Sequence, residues 1–82
     1  MHLFAAFLGG DLGQGRIGED HEVVFVVAPD VPSARRAAKA KWGGRGRPHL
    51  DALTRLDMID GYAIGLHVAG AGDATETVGH DE

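Results

Sequence analysis

The chain has 82 residues, with eight basic and twelve acidic side chains, a net charge of −4 and no cysteine. A chain of this length forms one small domain with a narrow margin of stability. Without cysteine it has no disulfide, no thiolate metal site and no cysteine nucleophile. Because a small core without cross-links gains stability from burial against a partner, self-association is the first expectation.

The sequence favours a cytoplasmic protein with no membrane partner. Its apolar N-terminal run is at most eight residues long and lacks the basic leader of a secretory signal. No stretch approaches the roughly 20 apolar residues that cross a bilayer. The abundance of glycine, alanine and arginine indicates a GC-rich bacterial genome.

Charge is segregated along the chain. The whole net charge is accounted for by four acidic residues near the end: Asp73, Glu76, Asp81 and Glu82. Ahead of them, an acidic block between residues 11 and 30 is followed by a basic block between residues 31 and 49 that contains no acid. This segregation predicts either a binding face or two surfaces that pair with each other.

The first part of the chain predicts two strands joined by a flexible connection. His2–Leu8 is continuously apolar, and Gly9–Asp20 is rich in glycine and polar residues. His21–Ala28 is dense in β-branched residues and is the strongest strand of the chain. Both strands are apolar on both faces, so we expect both faces of their sheet to be covered.

One helix is predicted over Val31–Trp42. Asp30 is placed to cap its N-terminus, Pro32 is tolerated in its first turn, and Gly43-Gly44 end it. Its apolar stripe is thin and made mainly of alanine: Val31, Ala34, Ala38 and Trp42, with Ala37 at the edge. We therefore expect close approach of the helix to the sheet, with Trp42 supplying most of the buried area at one end.

The second half predicts a loop and two strands. Arg45–Pro48 has the composition of a basic loop, and Leu50–Met58 alternates as a strand does. One face of that strand is expected to carry Leu50, Ala52, Thr54, Leu56 and Met58. Asp60-Gly61 is a hairpin turn, because glycine accepts positive φ, and Tyr62–Val68 is the last strand.

These elements predict an α+β fold of order β-β-α-β-β, with a mostly antiparallel sheet of about four strands and one helix on one face. Residues 1–69 are expected to form this single domain and residues 70–82 a disordered acidic tail. One helix covers one sheet face only. We therefore expect a second copy of the chain on the other face, as a homodimer or a higher even oligomer.

The chain resembles the small bacterial family catalogued as domain of unknown function 1543. The likeness lies in FLGG at Phe7–Gly10, HEVVFVVA at His21–Ala28, KAKWGG at Lys39–Gly44, HLD at His49–Asp51 and LDMIDGY at Leu56–Tyr62. The alanine-rich helix and the Arg-Gly loop before His49 depart from the family pattern. The resemblance implies a compact α+β domain without an established activity. It also implies that some members carry the domain in two tandem copies, which agrees with self-association.

Several polar residues are candidates for catalysis or metal binding. His49 and Asp51, near Asp57 and Asp60, suit a base and its orienting carboxylate in a hydrolase-type enzyme. Alternatively, His49 and Asp51 bond local backbone and the other two shape the hairpin. The acidic residues around His21 suit either a divalent cation or a solvated rim. The glycines between 9 and 18 lack the Lys-Ser/Thr of a phosphate-binding loop, and no metal or cofactor is expected.

The basic block is the best candidate for binding a ligand. It combines cations of the helix with those of the following Arg-Gly loop: Arg35, Arg36, Lys39, Arg45 and Arg47. Such a set suits nucleic acid or a phosphorylated ligand, with Trp42 as a stacking face. It also suits a solvated surface or a contact with the acidic block of a second copy. The leading hypothesis is a non-enzymatic, self-associating interaction module; anion or nucleic-acid binding and hydrolysis are the alternatives.

Overall fold

A computed structural model describes residues 1–11 and 20–70. The elements are β1 (His2–Asp11), β2 (Asp20–Ala28), α1 (Val31–Ala40), β3 (Arg45–Arg55), β4 (Met58–Ile59) and β5 (Tyr62–Ala63). Most of the predicted glycine-rich connection and nearly all of the predicted tail lie outside the described residues. The α+β class is confirmed, and residues 1–11 and 20–70 contain one helix.

The sheet has three antiparallel strands in the order β2-β1-β3, with β1 at the centre. β4 and β5 form a separate two-stranded hairpin. The sequence predicted about four strands in one sheet, whereas the described strands form a three-stranded sheet and a separate hairpin. The split occurs after Leu56, whose N–H donates to the Leu3 carbonyl at 2.9 Å as the last bond of the β3 side. The predicted strand Tyr62–Val68 pairs only at Tyr62–Ala63.

β3 differs most from its prediction. The expected loop Arg45–Pro48 is the first part of the strand, since β1 extends to Asp11 and pairs there with Arg45. A register shift opposite Phe7 and Leu8 makes Asp51 an extra residue. Leu50 consequently shares a face with Leu8, whereas Ala52 shares the other face with Phe7. The expectation that Leu50 and Ala52 lie on one face is wrong.

α1 covers one face of the sheet. The Asp30 carboxylate accepts a hydrogen bond from the Ser33 N–H at 2.8 Å, which confirms the predicted N-cap. The helix ends at Ala40, two residues before the predicted end. The core beneath it consists of small and apolar side chains: Phe4, Ala6, Val26, Ala28, Ala34 and Ala38. Val31 was expected in the apolar stripe and is instead exposed.

Trp42 packs against backbone as the predicted anchor at the end of the helix. Its indole lies over Gly10, where an added Cβ would be 2.9 Å from Trp42 Cζ2. A Cβ at Gly44 would be 2.6 Å from the indole and closer still to the Asp11 carbonyl oxygen. Trp42 Nε1 donates to the Arg45 carbonyl at 3.3 Å. Two glycines therefore leave the space that the indole occupies.

The Asp60-Gly61 turn is confirmed. Asp60 has φ 53° and Gly61 has φ 83°, the positive values that a two-residue type I′ hairpin requires. The Ile64 N–H donates to the Asp57 carbonyl at 2.9 Å and closes the base of this hairpin. Arg55 Nε lies 2.8 Å from an Asp57 carboxylate oxygen. Asp57 and Asp60 thus serve the hairpin, as the structural interpretation of these residues predicts.

Candidate functional site

The sheet face opposite α1 carries large apolar side chains that no described residue covers. We call it the open face and define it by Phe7, Val23, Phe25 and Val27, with Ala5 and Ala52 between them. The four larger side chains are between 41% and 56% exposed. In β2 the neighbouring residues Val24, Val26 and Ala28 point to the helix side and are wholly or partly buried. The predicted two-sided apolar strand is therefore present, with one side uncovered.

Large and small side chains alternate across the open face. The register of the three strands places Phe25, Ala5 and Thr54 in one row. The adjacent row consists of Val23, Phe7 and Ala52. Each phenylalanine thus has an alanine beside it, and neither row contains a charged residue. This surface has the knobs and hollows that a second apolar surface needs for close contact.

The open face ends in a polar cluster around Gly9. His21 Nδ1 lies 3.6 Å from a carboxylate oxygen of Asp51, across the central strand. The two side chains can meet because Gly9, the partner of His21 in the sheet, has no side chain and Asp51 stands at the bulge. His49 pairs with Gly9 from the other side. The sequence pointed to His49 with Asp51, and it missed His21 as the partner of Asp51.

The acidic residues near His21 take separate positions. Glu22 Oε1 accepts a hydrogen bond from the Gly43 N–H at 3.2 Å, which ties the end of α1 to β2. Asp20 is buried at the start of β2, and Glu19 lies outside the described residues. Within the described ranges no three His, Asp or Glu side chains come together as metal ligands. The structure thus shows no cation site at the predicted place in its described part.

Both edges of the sheet carry features that oppose the addition of another strand. At the β2 edge, Lys41 Nζ donates to the Phe25 carbonyl at 2.7 Å and occupies a backbone acceptor. At the β3 edge, Pro48 lacks an N–H and two register shifts interrupt the ladder. Lysine, proline and bulges at edges are the usual protection against edge-to-edge pairing. An additional partner therefore has better access to the open face than to either edge.

A second apolar surface lies beyond β3. We call residues 58–68 the arm; it consists of the β4–β5 hairpin and the segment after it. Neither β4 nor β5 packs against another helix or strand of the described residues. The exposed apolar side chains of the arm are Met58, Ile59, Tyr62, Ile64, Leu66 and Val68, between 37% and 100% exposed. Leu66 and Val68 line a cleft of about 380 Å³ with Val27, so the arm begins at one end of the open face.

The basic block contributes to a groove on the helix side of the molecule. We call this cleft of about 440 Å³ the basic groove; it lies between α1 and the first part of β3. It is lined by Arg36, Lys39, Ala40, Gly46, Arg47 and Pro48. Three of the five predicted binding cations thus come together, and Arg35 and Arg45 do not line the groove. His49 and Asp51 line neither the basic groove nor the cleft beside Val27.

The cations of the groove differ in their partners. Arg36 Nη2 donates to Ser33 Oγ at 3.2 Å. Hydrogen bonds from the Ser33 hydroxyl and backbone N–H lower the pKa of Asp30, and the charge of Arg36 contributes to the same shift. Lys39 and Arg47 have no ion pair or side-chain hydrogen bond with any residue that the structure describes. Two of the three positive charges are therefore available to a ligand.

Comparison with known proteins gives one match. A family model described as Domain of Unknown Function (DUF1543) matches residues 16–66, more than half of the chain. The match confirms the resemblance seen in the sequence and extends through both the basic groove and most of the arm. No curated protein and no solved structure gives a significant match. Among the described residues, the structure has no helix of the length and apolarity that a membrane span requires.

Proposed function

We propose that this chain, which belongs to the DUF1543 family of domains of unknown function, is a self-associating interaction module that binds a second copy of itself. The proposal rests on the observation that the described residues leave two apolar surfaces uncovered, the open face and the arm. Burial of apolar surface is the main source of free energy in protein association. The amino-acid composition supports a bacterial origin and a cytoplasmic location for this module.

The open face and the arm suit each other because both are apolar and belong to one chain. The open face presents two phenylalanines beside two alanines, and the arm presents long side chains such as Met58 and Tyr62. In a twofold dimer, a contact between the arm of one copy and the open face of the other occurs twice. Such an exchange covers both surfaces with a single type of contact.

The edges and the polar cluster agree with this arrangement. Lys41 at the β2 edge and Pro48 at the β3 edge oppose dimerisation by continuation of the sheet. The His21–Asp51 pair lies at the end of the open face away from the arm. Interfaces typically have an apolar centre and a polar rim. The arm therefore meets the uncharged rows, and the His21–Asp51 pair stays at the margin.

Matched valine substitutions test the proposal. Val23 on the open face is 51% exposed and Val31 on α1 is 48% exposed, so Val23→Lys and Val31→Lys place the same charge at similar exposure. Sedimentation velocity over a range of concentrations should show a dimer for the unsubstituted chain and for Val31→Lys. Val23→Lys should raise the dissociation constant by about a hundredfold, since a lysine must lose water on burial. Circular dichroism checks that each variant is folded.

Substitution in the arm tests the exchange separately. Tyr62→Lys changes a 76% exposed residue of β5, which among the described elements contacts only β4, and should leave the rest of the monomer fold intact. It should weaken association to a similar degree as Val23→Lys. A strict monomer at high micromolar concentration, or equal weakening by Val23→Lys and Val31→Lys, would contradict the proposal. Loss of association in Val23→Lys but not in Tyr62→Lys would mean that the open face belongs to the dimer interface and the arm does not.

A further inference from the structure

We infer that the basic groove is a binding site for a small molecule that carries a phosphate group. Its volume of about 440 Å³ lies within the range of small-ligand pockets. Its lining contains three cations and no acidic residue. Phosphate is recognised by Arg and Lys through short, charge-assisted hydrogen bonds, which are stronger than bonds between neutral groups.

The groove holds its cations on two separate walls. Arg36 and Lys39 are three residues apart on α1 and so lie on one side of the helix. Arg47 comes from β3, the opposite wall. Gly46 beside it has φ 64°, and an added Cβ there would meet nothing within 4 Å. A ligand in the groove is thus contacted from a helix and from a strand, with open space at Gly46.

Two backbone carbonyls at the end of α1 already accept hydrogen bonds within the chain and so contribute less negative potential to the groove. Free carbonyls at a helix C-terminus normally repel anions. Here the Ala38 carbonyl accepts a hydrogen bond from the Lys41 N–H at 3.0 Å, and the Lys39 carbonyl accepts one from the Trp42 N–H at 3.2 Å. Lys39 and Arg47 lack partners among the described residues, so binding an anion breaks no ion pair of theirs. The Arg36 guanidinium is already oriented by Ser33.

The geometry favours a small phosphate compound over nucleic acid. Sequence-tolerant binding of single strands uses a track of cations together with exposed aromatic rings. No aromatic residue lines the groove, and Trp42 packs against Gly10 and Gly44 instead. Arg35 and Arg45 also lie outside the lining, so the three cations form a local cluster. The groove is on the helix side of the sheet, and its occupation is therefore independent of self-association through the open face.

Two double variants with the same change of charge test this site. Lys39→Gln/Arg47→Gln removes two cations of the groove, and Arg35→Gln/Arg45→Gln removes two cations of the same segment outside it. Binding of inorganic pyrophosphate to the full chain is measured by isothermal titration calorimetry at constant ionic strength. The groove variant should lose at least about tenfold in affinity, and the matched variant less than about threefold. All four side chains are exposed, and thermal unfolding verifies the fold of both variants.

Each other outcome overturns the inference. Equal losses in the two double variants would mean that general surface charge attracts pyrophosphate. If pyrophosphate does not bind measurably to the unsubstituted chain, the basic groove is not a phosphate site. A ten-nucleotide oligothymidylate serves as the third arm of the experiment. If it binds and pyrophosphate does not displace it, the basic block is a nucleic-acid surface instead of a small-ligand site. None of these results bears on the dimer, which is measured without ligand.

Discussion

The two faces of the sheet use similar strands in different ways. On the helix side, Phe4 is 2% exposed and Ala34 and Ala38 are completely buried, so helix and sheet are in close contact. On the open side, Phe7 and Phe25 are exposed although the same two strands carry them. Alternation along β1 and β2 sends comparable side chains to both faces. The difference teaches that strand sequence alone does not say which side is covered within the chain and which is left for a partner.

The largest effect is expected from a pair of phenylalanine truncations, one on each face. Phe4→Ala should lower the free energy of unfolding by about 3–5 kcal/mol, because it leaves a cavity under the helix. Phe25→Ala should change the stability of the monomer by less than about 1 kcal/mol, because that side chain is already half in water. Urea unfolding at a concentration below the dissociation constant measures both. Similar losses for both variants would mean that the open face is covered within the monomer.

A smaller effect on stability is expected when one methyl group is added at a closely packed glycine, and almost none when it is added at an exposed glycine. Gly10→Ala directs a Cβ to within 2.9 Å of Trp42 and should cost about 1–3 kcal/mol, since Gly44 also borders the indole closely. Gly65→Ala in the arm meets nothing within 4 Å and should change stability by less than about 1 kcal/mol. Thermal unfolding of the two variants compares them. A harmless Gly10→Ala would show that the Trp42 contact is loose.

The sequence predicted the features that depend on local chemistry. The Asp30 cap, the Asp60-Gly61 turn and the two-sided apolar character of β2 follow from residues within a few positions of one another. The Asp51 bulge does not, because it arises from pairing with a strand about forty residues earlier in the chain. That single extra residue places Leu50 and Ala52, which were expected on one face, on opposite faces of the sheet. The same long-range pairing turned Arg45–Pro48 from an expected loop into a strand.

The candidate sites show the same limit. Spacing on a helix identifies Arg36 and Lys39 as neighbours, and nothing local indicates that Arg47 rather than Arg45 joins them. The partnership of His21 with Asp51 likewise depends on Gly9 lying between them in the sheet. The hairpin of the arm was predictable, since an Asp-Gly turn joins two short apolar segments. Its separation from the sheet appears only when the end of the β3 ladder at Leu56 is known.

The smallest effect is expected at Asp30, which caps the helix that covers one of the two faces. Hydrogen bonds from Ser33, with a contribution from Arg36, lower the pKa of this carboxyl in the folded chain. A group with a lowered folded pKa stabilises the fold above its unfolded pKa and loses that contribution as pH falls through the folded value. Asp30→Asn keeps a capping oxygen without a charge, so its stability should fall less than that of the unsubstituted chain below about pH 4. Urea midpoints at neutral and acidic pH measure the difference, and parallel curves for the two chains would show that the cap does not titrate with folding.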